Sequence, residues 1–348
     1  MLQLILGEGE NMPYVYISSY GENEKKGIYV AKFDNSTLEL IQHYPTEDFP
    51  SYIIKKDNHL YASLKNASRS INNGGIGIFK IEDGKVNLVD KYASKGRSYT
   101  HLCLSDNMKH LFVANYHVGT TAMYAIDNHR VSSKVNVVYH EGKGPDPLGR
   151  QKTPHVHYVG ITPDHRVYSV DLGSDKIVLY KVDENGLTLE RKQDILPGSG
   201  PRHMVFSKDG RFAYLVNEIA NTIMVFRYHN GMFTMIQMIS TLPRHFKGES
   251  SAAGIRMSAS GTHLFVSNRG HDSIAMYAVN QETGKLFLLY MVHTGKDPRD
   301  FNIYEDKMIV VGCQSSNWIE VLRLDLEKDI MERTGQILDI PAPVCIEF

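Results

Sequence analysis

The segment LFVANYH at 111–117 carries the pattern that decides the fold, a short run of β-forming residues that ends in polar residues. Similar segments recur along the chain, with starts 44 to 56 residues apart. The other six are VYISSYG (15–21), LYASLKN (60–66), VYSVDLG (167–173), AYLVNEI (213–219), LFVSNRG (264–270) and MIVVGCQ (308–314). Repetition at such a period is typical of folds in which each repeat is one supersecondary unit.

Each repeat contains further short β-like runs. A run such as HYVGITPD (157–164) precedes the central segment, one such as KIVLYKV (176–182) follows it, and a weaker one such as LFLLYMV (286–292) closes the unit. Four short strands with period-two patterning, separated by Gly, Asn and Asp turns, are typical of a propeller blade. The sequence therefore predicts an all-β fold, a seven-bladed β-propeller of four-stranded blades.

The two ends of the chain complement each other. The first repeat lacks an opening strand, whereas the chain finishes with PAPVCIEF (341–348), which resembles the opening strand of the other repeats. We expect this strand to join the N-terminal blade and close the ring, since closure removes an exposed sheet edge. A single domain is predicted over 1–348, with 1–11 as an extension outside the core and Met12 as an alternative initiator.

Composition and charge argue against several classes of protein. The 348 residues include 38 Lys and Arg against 39 Asp and Glu, so a nucleic-acid partner is not indicated. The three cysteines form no CxxC pair, which favours a reducing compartment. The start, MLQLILGEGENM, lacks the basic region of a signal peptide, and no run is long enough to span a membrane. We expect a soluble, cytoplasmic protein with no membrane partner; the sequence does not indicate its oligomeric state.

Propeller geometry predicts where the polar side chains meet. The innermost strand of a blade and the next strand are antiparallel, so the start of the first and the end of the second lie at one mouth of the central channel. Polar residues at these positions are Thr100, His101, His155, His157, Arg202, His203 and Arg299 at strand starts, and Asn115, Tyr116, Asp171, Asn217, Glu218, Asn268 and Arg269 at strand ends. The preceding loop, 142–155, adds Arg150 and Gln151. Such convergence predicts a binding site.

The arginines at this mouth suit an anionic ligand. Guanidinium groups bind carboxylate and phosphate through paired hydrogen bonds, which favours ligand binding for Arg202 and Arg269. Arg299 fits either a ligand contact or an ion pair within the protein. Glu218 either neutralises the arginines or acts as a general base, because an adjacent arginine lowers a carboxyl pKa whereas burial raises it.

The histidine pair allows two interpretations. His155 and His157 alternate along one predicted strand and would lie about 7 Å apart on one side. They could bind a metal if His101 or Asp171 supplied a third ligand. The absence of a compact ligand motif favours acid–base chemistry without a metal or other cofactor. Asp171 is interpreted first as bonding its own turn and second as a site residue.

Several segments resemble the lactonase family of seven-bladed propellers, which includes bacterial propeller-type 6-phosphogluconolactonase and the fungal carboxy-cis,cis-muconate lactonizing enzyme. They are GRQKTPHVHYVGITPD (149–164), GPRHMVFSKDGRFAYLVNE (200–218) and VSNRGHDSI (266–274). The resemblance implies metal-independent lactone chemistry in which His155 or His157, Arg202, Glu218 and Arg269 are catalytic. Counting back from the following turn matches His157 with Arg202. Seven further residues of the rim and its loop are expected to bind substrate, namely His155, His203, Arg150, Gln151, Asn115, Asp171 and Arg299.

Three functions follow from this interpretation. The first is hydrolysis of a sugar lactone, most specifically 6-phosphogluconolactone of carbohydrate metabolism and the pentose phosphate pathway, with His157 or Glu218 as base. The second is a cycloisomerase that forms a lactone from an unsaturated dicarboxylate at the same site. The third is a non-enzymatic propeller that binds a protein or metabolite; the absence of WD-type signatures makes it the weakest. The partner expected in the first two cases is a small anionic lactone or carboxylate.

Overall fold

Seven four-stranded antiparallel sheets form the fold in the computed structural model of the chain, which describes residues 13–34, 37–66, 74–93 and 98–348. The predicted seven-bladed β-propeller is thereby confirmed. The predicted extension 1–11 and the alternative initiator Met12 lie outside the described residues.

The strands are numbered along the chain and grouped by blade. Blade 1 contains β1 (Tyr14–Ser19), β2 (Gly27–Asp34), β3 (Thr37–Pro45) and the C-terminal β28 (Pro343–Glu347). Blade 2 contains β4 (Phe49–Lys56), β5 (His59–Lys65), β6 (Gly75–Glu82) and β7 (Lys85–Ala93). Blade 3 contains β8 (His101–Leu104), β9 (His110–Asn115), β10 (Thr120–Asp127) and β11 (Arg130–Tyr139). Blade 4 contains β12 (Val156–Ile161), β13 (Val167–Asp171), β14 (Lys176–Asp183) and β15 (Gly186–Asp194).

The last three blades follow the same plan. Blade 5 contains β16 (Pro201–Phe206), β17 (Phe212–Asn217), β18 (Thr222–His229) and β19 (Met232–Ser240). Blade 6 contains β20 (Ser251–Met257), β21 (His263–Arg269), β22 (Ser273–Val279) and β23 (Leu286–His293). Blade 7 contains β24 (Pro298–Tyr304), β25 (Met308–Cys313), β26 (Trp318–Asp325) and β27 (Ile330–Asp339). Two short 3₁₀ turns occur at Asn23–Lys25 and Gln314–Ser316.

The C-terminal strand closes the ring as predicted. β28 pairs antiparallel with β1, and Ile17 lies opposite Ile346 in this ladder. Both side chains are fully buried in a cluster that also contains Val310 and Ile319 of blade 7. The closing strand therefore completes a sheet and also packs against the preceding blade.

Burial explains why the central segment of each repeat is apolar without strict alternation. The second strand of a blade is covered on both faces by neighbouring blades, and all six residues of β17 are buried. The outermost strands have one face toward solvent, so β19 alternates between exposed and buried positions at its start. Apolar clusters between adjacent blades form the core of the ring, since each sheet must bury its apolar face against another.

Six of the seven innermost strands carry a β-bulge near their first residue. In blade 5, for example, Pro201 lies opposite Asn217 and His203 opposite Val216, which leaves Arg202 as the extra residue. A bulge redirects the side chain of the extra residue and is common next to active sites. The equivalent extra residues are Ser51, His157, Arg299 and Val344, and in blade 6 the two residues Ala253 and Gly254 lie opposite the one residue Ser267. His155 precedes β12 and His157 is its extra residue, so the simple alternation predicted for this pair is wrong.

Within the described ranges, no helix combines the length and the apolar character needed to cross a bilayer.

Ring closure predicts a measurable difference between two apolar truncations. Ile346→Ala removes fully buried methyl groups at the closing strand and should lower the free energy of unfolding by about 2–4 kcal/mol. Met232→Ala, at a side chain that is 52% exposed, should change it by less than about 0.5 kcal/mol. Urea denaturation of both variants measures the difference; equal losses would show that β28 does not support the ring.

Candidate active site

A cavity of about 250 Å³ lies at the predicted mouth of the central channel. It is slightly smaller than the usual range for small-molecule sites. Thirteen of the described residues line it: Tyr20, Ser51, Lys65, Ser98, Tyr99, Thr100, Tyr116, His117, His157, Arg202, Glu218, Arg269 and Arg299. All four residues predicted to be catalytic, His157, Arg202, Glu218 and Arg269, are thus brought together.

Two equivalent positions of the blade supply most of this lining. The bulge residue of the innermost strand contributes Ser51, His157, Arg202 and Arg299. The end of the second strand, or the next residue, contributes Tyr20, Lys65, Tyr116, Glu218 and Arg269. The sequence analysis matched His157 with Arg202 by their distance from the following turn. The structure agrees, because both residues occupy the bulge position of their strands.

Glu218 is the centre of an ion-pair network between two blades. Its Oε2 atom lies 3.0 Å from Nε of Arg202 and 3.0 Å from Nη2 of Arg269. Burial alone would raise the pKa of Glu218, but Arg269, Arg202 and Arg299 more than offset it and lower that pKa. Glu218 is therefore ionised at neutral pH and fixes both guanidinium groups beside the cavity.

Arg202 makes three hydrogen bonds within the protein through Nε and Nη1, and its Nη2 has none among the described residues. Besides the bond from Nε to Glu218, its Nη1 donates to the carbonyl of Ala253 at 2.8 Å and to Nε2 of His203 at 3.2 Å. Burial, with Arg269 nearby, lowers the pKa of Arg202 to about 9, so the guanidinium remains charged at neutral pH. Its Nη2 has no hydrogen bond to any residue that the structure describes, and is available to a ligand in the cavity.

His157 faces this network as a neutral imidazole. Burial and the charges of Arg202, Arg299 and Arg269 hold the pKa of His157 well below its usual range. Its Nδ1 is buried and has no partner among the described residues, and Nε2 makes no hydrogen bond within them either. His157 therefore lines the cavity as a neutral imidazole without a hydrogen-bond partner among the described residues, and it can accept a proton as a general base does.

His203 and His101 lie beneath this layer and do not line the cavity. The ring of His203 is 5.1 Å from that of His157 and 5.5 Å from that of His101, edge to face in both cases. His203 accepts the hydrogen bond from Arg202, so its contact supports an arginine. His203 was predicted to bind substrate, but the structure places it outside the cavity lining.

Asp171, another predicted substrate-binding residue, is committed to a buried network. Its Oδ1 accepts hydrogen bonds from the backbone N–H of His155, Gly173 and Ser174, and its Oδ2 accepts one from Nδ1 of His140 at 2.9 Å. The first interpretation of Asp171, a residue that bonds its own turn, describes this geometry. No carboxyl oxygen is left for a ligand.

Four other predicted substrate-binding residues also lie outside the cavity. Asn115 is fully buried and accepts a hydrogen bond from Val118 N–H through Oδ1. Nε2 of Gln151 donates to Leu172 and Asp175, while Arg150 pairs with Asp146 and lines a neighbouring groove. His155 stacks on Tyr116 at 4.3 Å and donates through Nδ1 to its carbonyl, so it positions a cavity wall. Arg299 alone of the predicted binding set reaches the cavity.

The sequence analysis missed several lining residues. Tyr20, Lys65, Ser51, Ser98 and His117 were not predicted. Comparison of equivalent positions in all repeats would have found two of them, because Tyr20 and Lys65 align with Glu218 and Arg269 at the end of the central segment. The Pro-x pattern shared by Pro50-Ser51 and Pro201-Arg202 would have indicated Ser51.

The cavity is strongly cationic. Among the lining residues that the structure describes, four basic side chains, Lys65, Arg202, Arg269 and Arg299, face one carboxylate, Glu218. Across the described ranges, no three His, Cys, Asp or Glu side chains are grouped so that they could hold a metal ion. The arrangement therefore offers anion binding, an uncommitted imidazole and oriented guanidinium groups.

Comparison with known proteins agrees with this architecture. The family described as lactonase, 7-bladed β-propeller matches residues 14–348. The chain is 36% identical over 310 residues to an uncharacterized protein of Staphylococcus epidermidis, covering 86% of this chain and 89% of that protein. It is 30% identical to 6-phosphogluconolactonase of Bacillus subtilis, covering 96% and 97% of the two chains.

A solved structure extends the likeness to three dimensions. The periplasmic gluconolactonase PpgL of Pseudomonas aeruginosa superposes with a TM-score of 0.90 at 28% sequence identity, covering 97% of this chain and 98% of that one. The seven blades form a closed ring, and the family model matches nearly the whole length of the chain. The chain therefore belongs to the lactonase family of seven-bladed β-propellers.

Proposed function

We propose that the protein hydrolyses a sugar lactone, most specifically 6-phosphogluconolactone, at the cavity around Glu218. The observation that carries the proposal is the placement of two arginines, fixed by one carboxylate, beside an uncommitted neutral histidine. Hydrolysis of an ester needs a base for water and positive charge for the developing oxyanion, and these groups supply both. The name of the Bacillus subtilis relative supports the phosphorylated substrate, and that of the Pseudomonas aeruginosa neighbour supports the sugar-lactone class.

His157 is the base in this mechanism. Glu218 is a poor candidate because its carboxylate is engaged by both arginines, with one oxygen 3.0 Å from a nitrogen of each. His157 is neutral and has no hydrogen-bond partner in the described part of the chain, so it can accept a proton from water without first losing one. Glu218 acts as a positioning residue, since it orients Arg202 and Arg269.

The reaction follows from these positions. A water molecule attacks the lactone carbonyl carbon while His157 accepts its proton. Arg202 and Arg269 stabilise the negative charge that forms on the carbonyl oxygen, an effect worth roughly 3 kcal/mol for one well-placed donor. Collapse of the tetrahedral intermediate breaks the ring C–O bond, and the proton on His157 passes to the departing ring oxygen. The product is an open-chain sugar acid, which ionises.

Loss of one arginine should reduce turnover without loss of fold. Arg269→Ala should lower kcat on fresh 6-phosphogluconolactone by about 10²-fold, because a preorganised donor to the oxyanion is lost. Arg211→Ala is the matched control, since Arg211 lies in the hairpin between β16 and β17 at the opposite mouth and its side chain is 57% exposed. Rates are measured with EDTA present and the spontaneous hydrolysis subtracted, and thermal unfolding confirms the fold of each variant.

Two outcomes would contradict this assignment. Unchanged turnover by a folded Arg269→Ala protein would show that Arg269 takes no part in the reaction. A wild-type rate equal to the spontaneous rate would refute hydrolysis of this lactone, and conversion of an unsaturated dicarboxylate would then favour the cycloisomerase.

The low pKa of His157 predicts an unusual pH dependence. The base form of His157 is lost only when the pH falls through its lowered pKa, so kcat/KM should already be level from about pH 6.5 upward. His157→Gln should lower kcat/KM by at least about 10²-fold, whereas His229→Gln, at an exposed residue, should leave it unchanged. Initial rates between pH 5 and 8 measure the profile. A rise centred above pH 7, or an active His157→Gln enzyme, would exclude His157 as the base.

A further inference from the structure

The cationic groups of the cavity fall into two sets with different surroundings. Arg202 and Arg269, from blades 5 and 6, share the carboxylate of Glu218. Lys65, from blade 2, and Arg299, from blade 7, have no ion-pair partner within the described residues. The charge on the Arg202 and Arg269 side is therefore half neutralised, whereas Lys65 and Arg299 on the other side carry uncompensated positive charge.

The side chains of Lys65 and Arg299 both contact the ring of Tyr20 in blade 1. Nζ of Lys65 lies 5.7 Å from the centre of the Tyr20 ring, and Cζ of Arg299 lies 5.8 Å from it. Such cation–π contacts fix the direction of long basic side chains without neutralising their charge. Lys65 and Arg299 are thus held beside the same ring while their N–H groups stay available.

Two hydroxyl groups add uncommitted donors to this side. Ser51 Oγ accepts a hydrogen bond from Tyr20 at 2.7 Å, and Ser98 Oγ accepts one from the backbone N–H of Asn66 at 3.0 Å. The hydroxyl proton of neither serine has an acceptor among the described residues. Thr100 differs, since its Oγ1 already bonds to the carbonyls of Ala114 and Val156. Two cations and two free hydroxyl donors therefore line one wall of the cavity with no carboxylate among them.

We propose that Lys65, Arg299, Ser51 and Ser98 form a subsite for a phosphate monoester, the phosphorylated end of a substrate whose lactone end lies at Arg202, Arg269 and His157. The inference rests on the proposed function and adds to it the residues that distinguish a phosphorylated lactone from an unphosphorylated one. A phosphate group offers only acceptor oxygens to protein donors when fully ionised, which matches a wall that holds only donors.

The charge of the cavity also favours a phosphorylated ligand over an unphosphorylated one. Among the described lining residues, four cations against one carboxylate leave three positive charges while His157 is neutral, and four once His157 has accepted the proton of the attacking water. A phosphate monoester carries up to two negative charges at neutral pH, and the oxyanion of the tetrahedral intermediate adds one. A phosphorylated lactone offsets three of these four charges in the tetrahedral intermediate, whereas an unphosphorylated one offsets one and leaves Lys65 and Arg299 without a counter-charge.

Binding of the reaction product tests the subsite independently of turnover. Calorimetric titration should show that the wild-type protein binds 6-phosphogluconate at least about tenfold more tightly than gluconate, the effect of one charge-assisted hydrogen bond. The Lys65→Met/Arg299→Gln variant should lose that difference. Lys208→Met/Arg211→Gln is the matched control, because it removes the same two charges at the hairpin of the opposite mouth and should keep it. If the double variant does not fold, Lys65→Met and Arg299→Gln singly should each lose part of it.

The kinetic counterpart is the ratio of kcat/KM for 6-phosphogluconolactone to that for gluconolactone, which should fall by a similar factor in the Lys65→Met/Arg299→Gln variant. A folded variant that keeps the wild-type difference in product binding would overturn the subsite. Equal affinity of the wild-type protein for 6-phosphogluconate and gluconate would overturn it too. A protein that binds 6-phosphogluconate through these residues but hydrolyses neither lactone would support the subsite and refute the proposed function.

Discussion

The extra residue near the start of the innermost strands is the constraint from which the site follows. Regular alternation would direct side chains either into the blade interface or along the channel, whereas a bulge turns one residue toward the mouth. In four blades that residue lines the cavity, as Ser51, His157, Arg202 and Arg299 do. Ring closure then matters for chemistry as well as stability, because Tyr20, which follows β1, lies between cations of blades 2 and 7.

Burial and charge act together on the groups so presented. A lone buried arginine would be costly, and Glu218 offsets that cost while keeping Arg202 and Arg269 in place. The same positive surroundings, with burial, keep His157 neutral and so preserve its basic nitrogen. The side of the cavity that lacks a carboxylate has the opposite property, since its cations have no counter-charge until a ligand arrives. The position of Glu218 therefore separates the arginines proposed to take part in the reaction from the cations proposed to bind the phosphate.

Much of this arrangement could be predicted from the sequence because a repeat fixes register. The seven central segments determined the blade number, and PAPVCIEF determined the closure. The same register located His157, Arg202, Glu218 and Arg269 at one mouth. Lys65 escaped prediction although it occupies the position of Glu218 in its own repeat. Asp171 and Gln151 were predicted at the mouth, but local turns take up their hydrogen bonds, which residue type alone does not reveal.

The orientation of the ligand in the cavity is the central claim, and a crystal structure with 6-phosphogluconate tests it most directly. We expect the carboxylate of the product between Arg202 and Arg269, with His157 adjacent, and the phosphate against Lys65 and Arg299. A product bound elsewhere on the propeller would contradict the assignment of the active site. A product bound in the reverse direction, with its phosphate on Arg202 and Arg269, would contradict the separation of the reaction groups from the phosphate subsite.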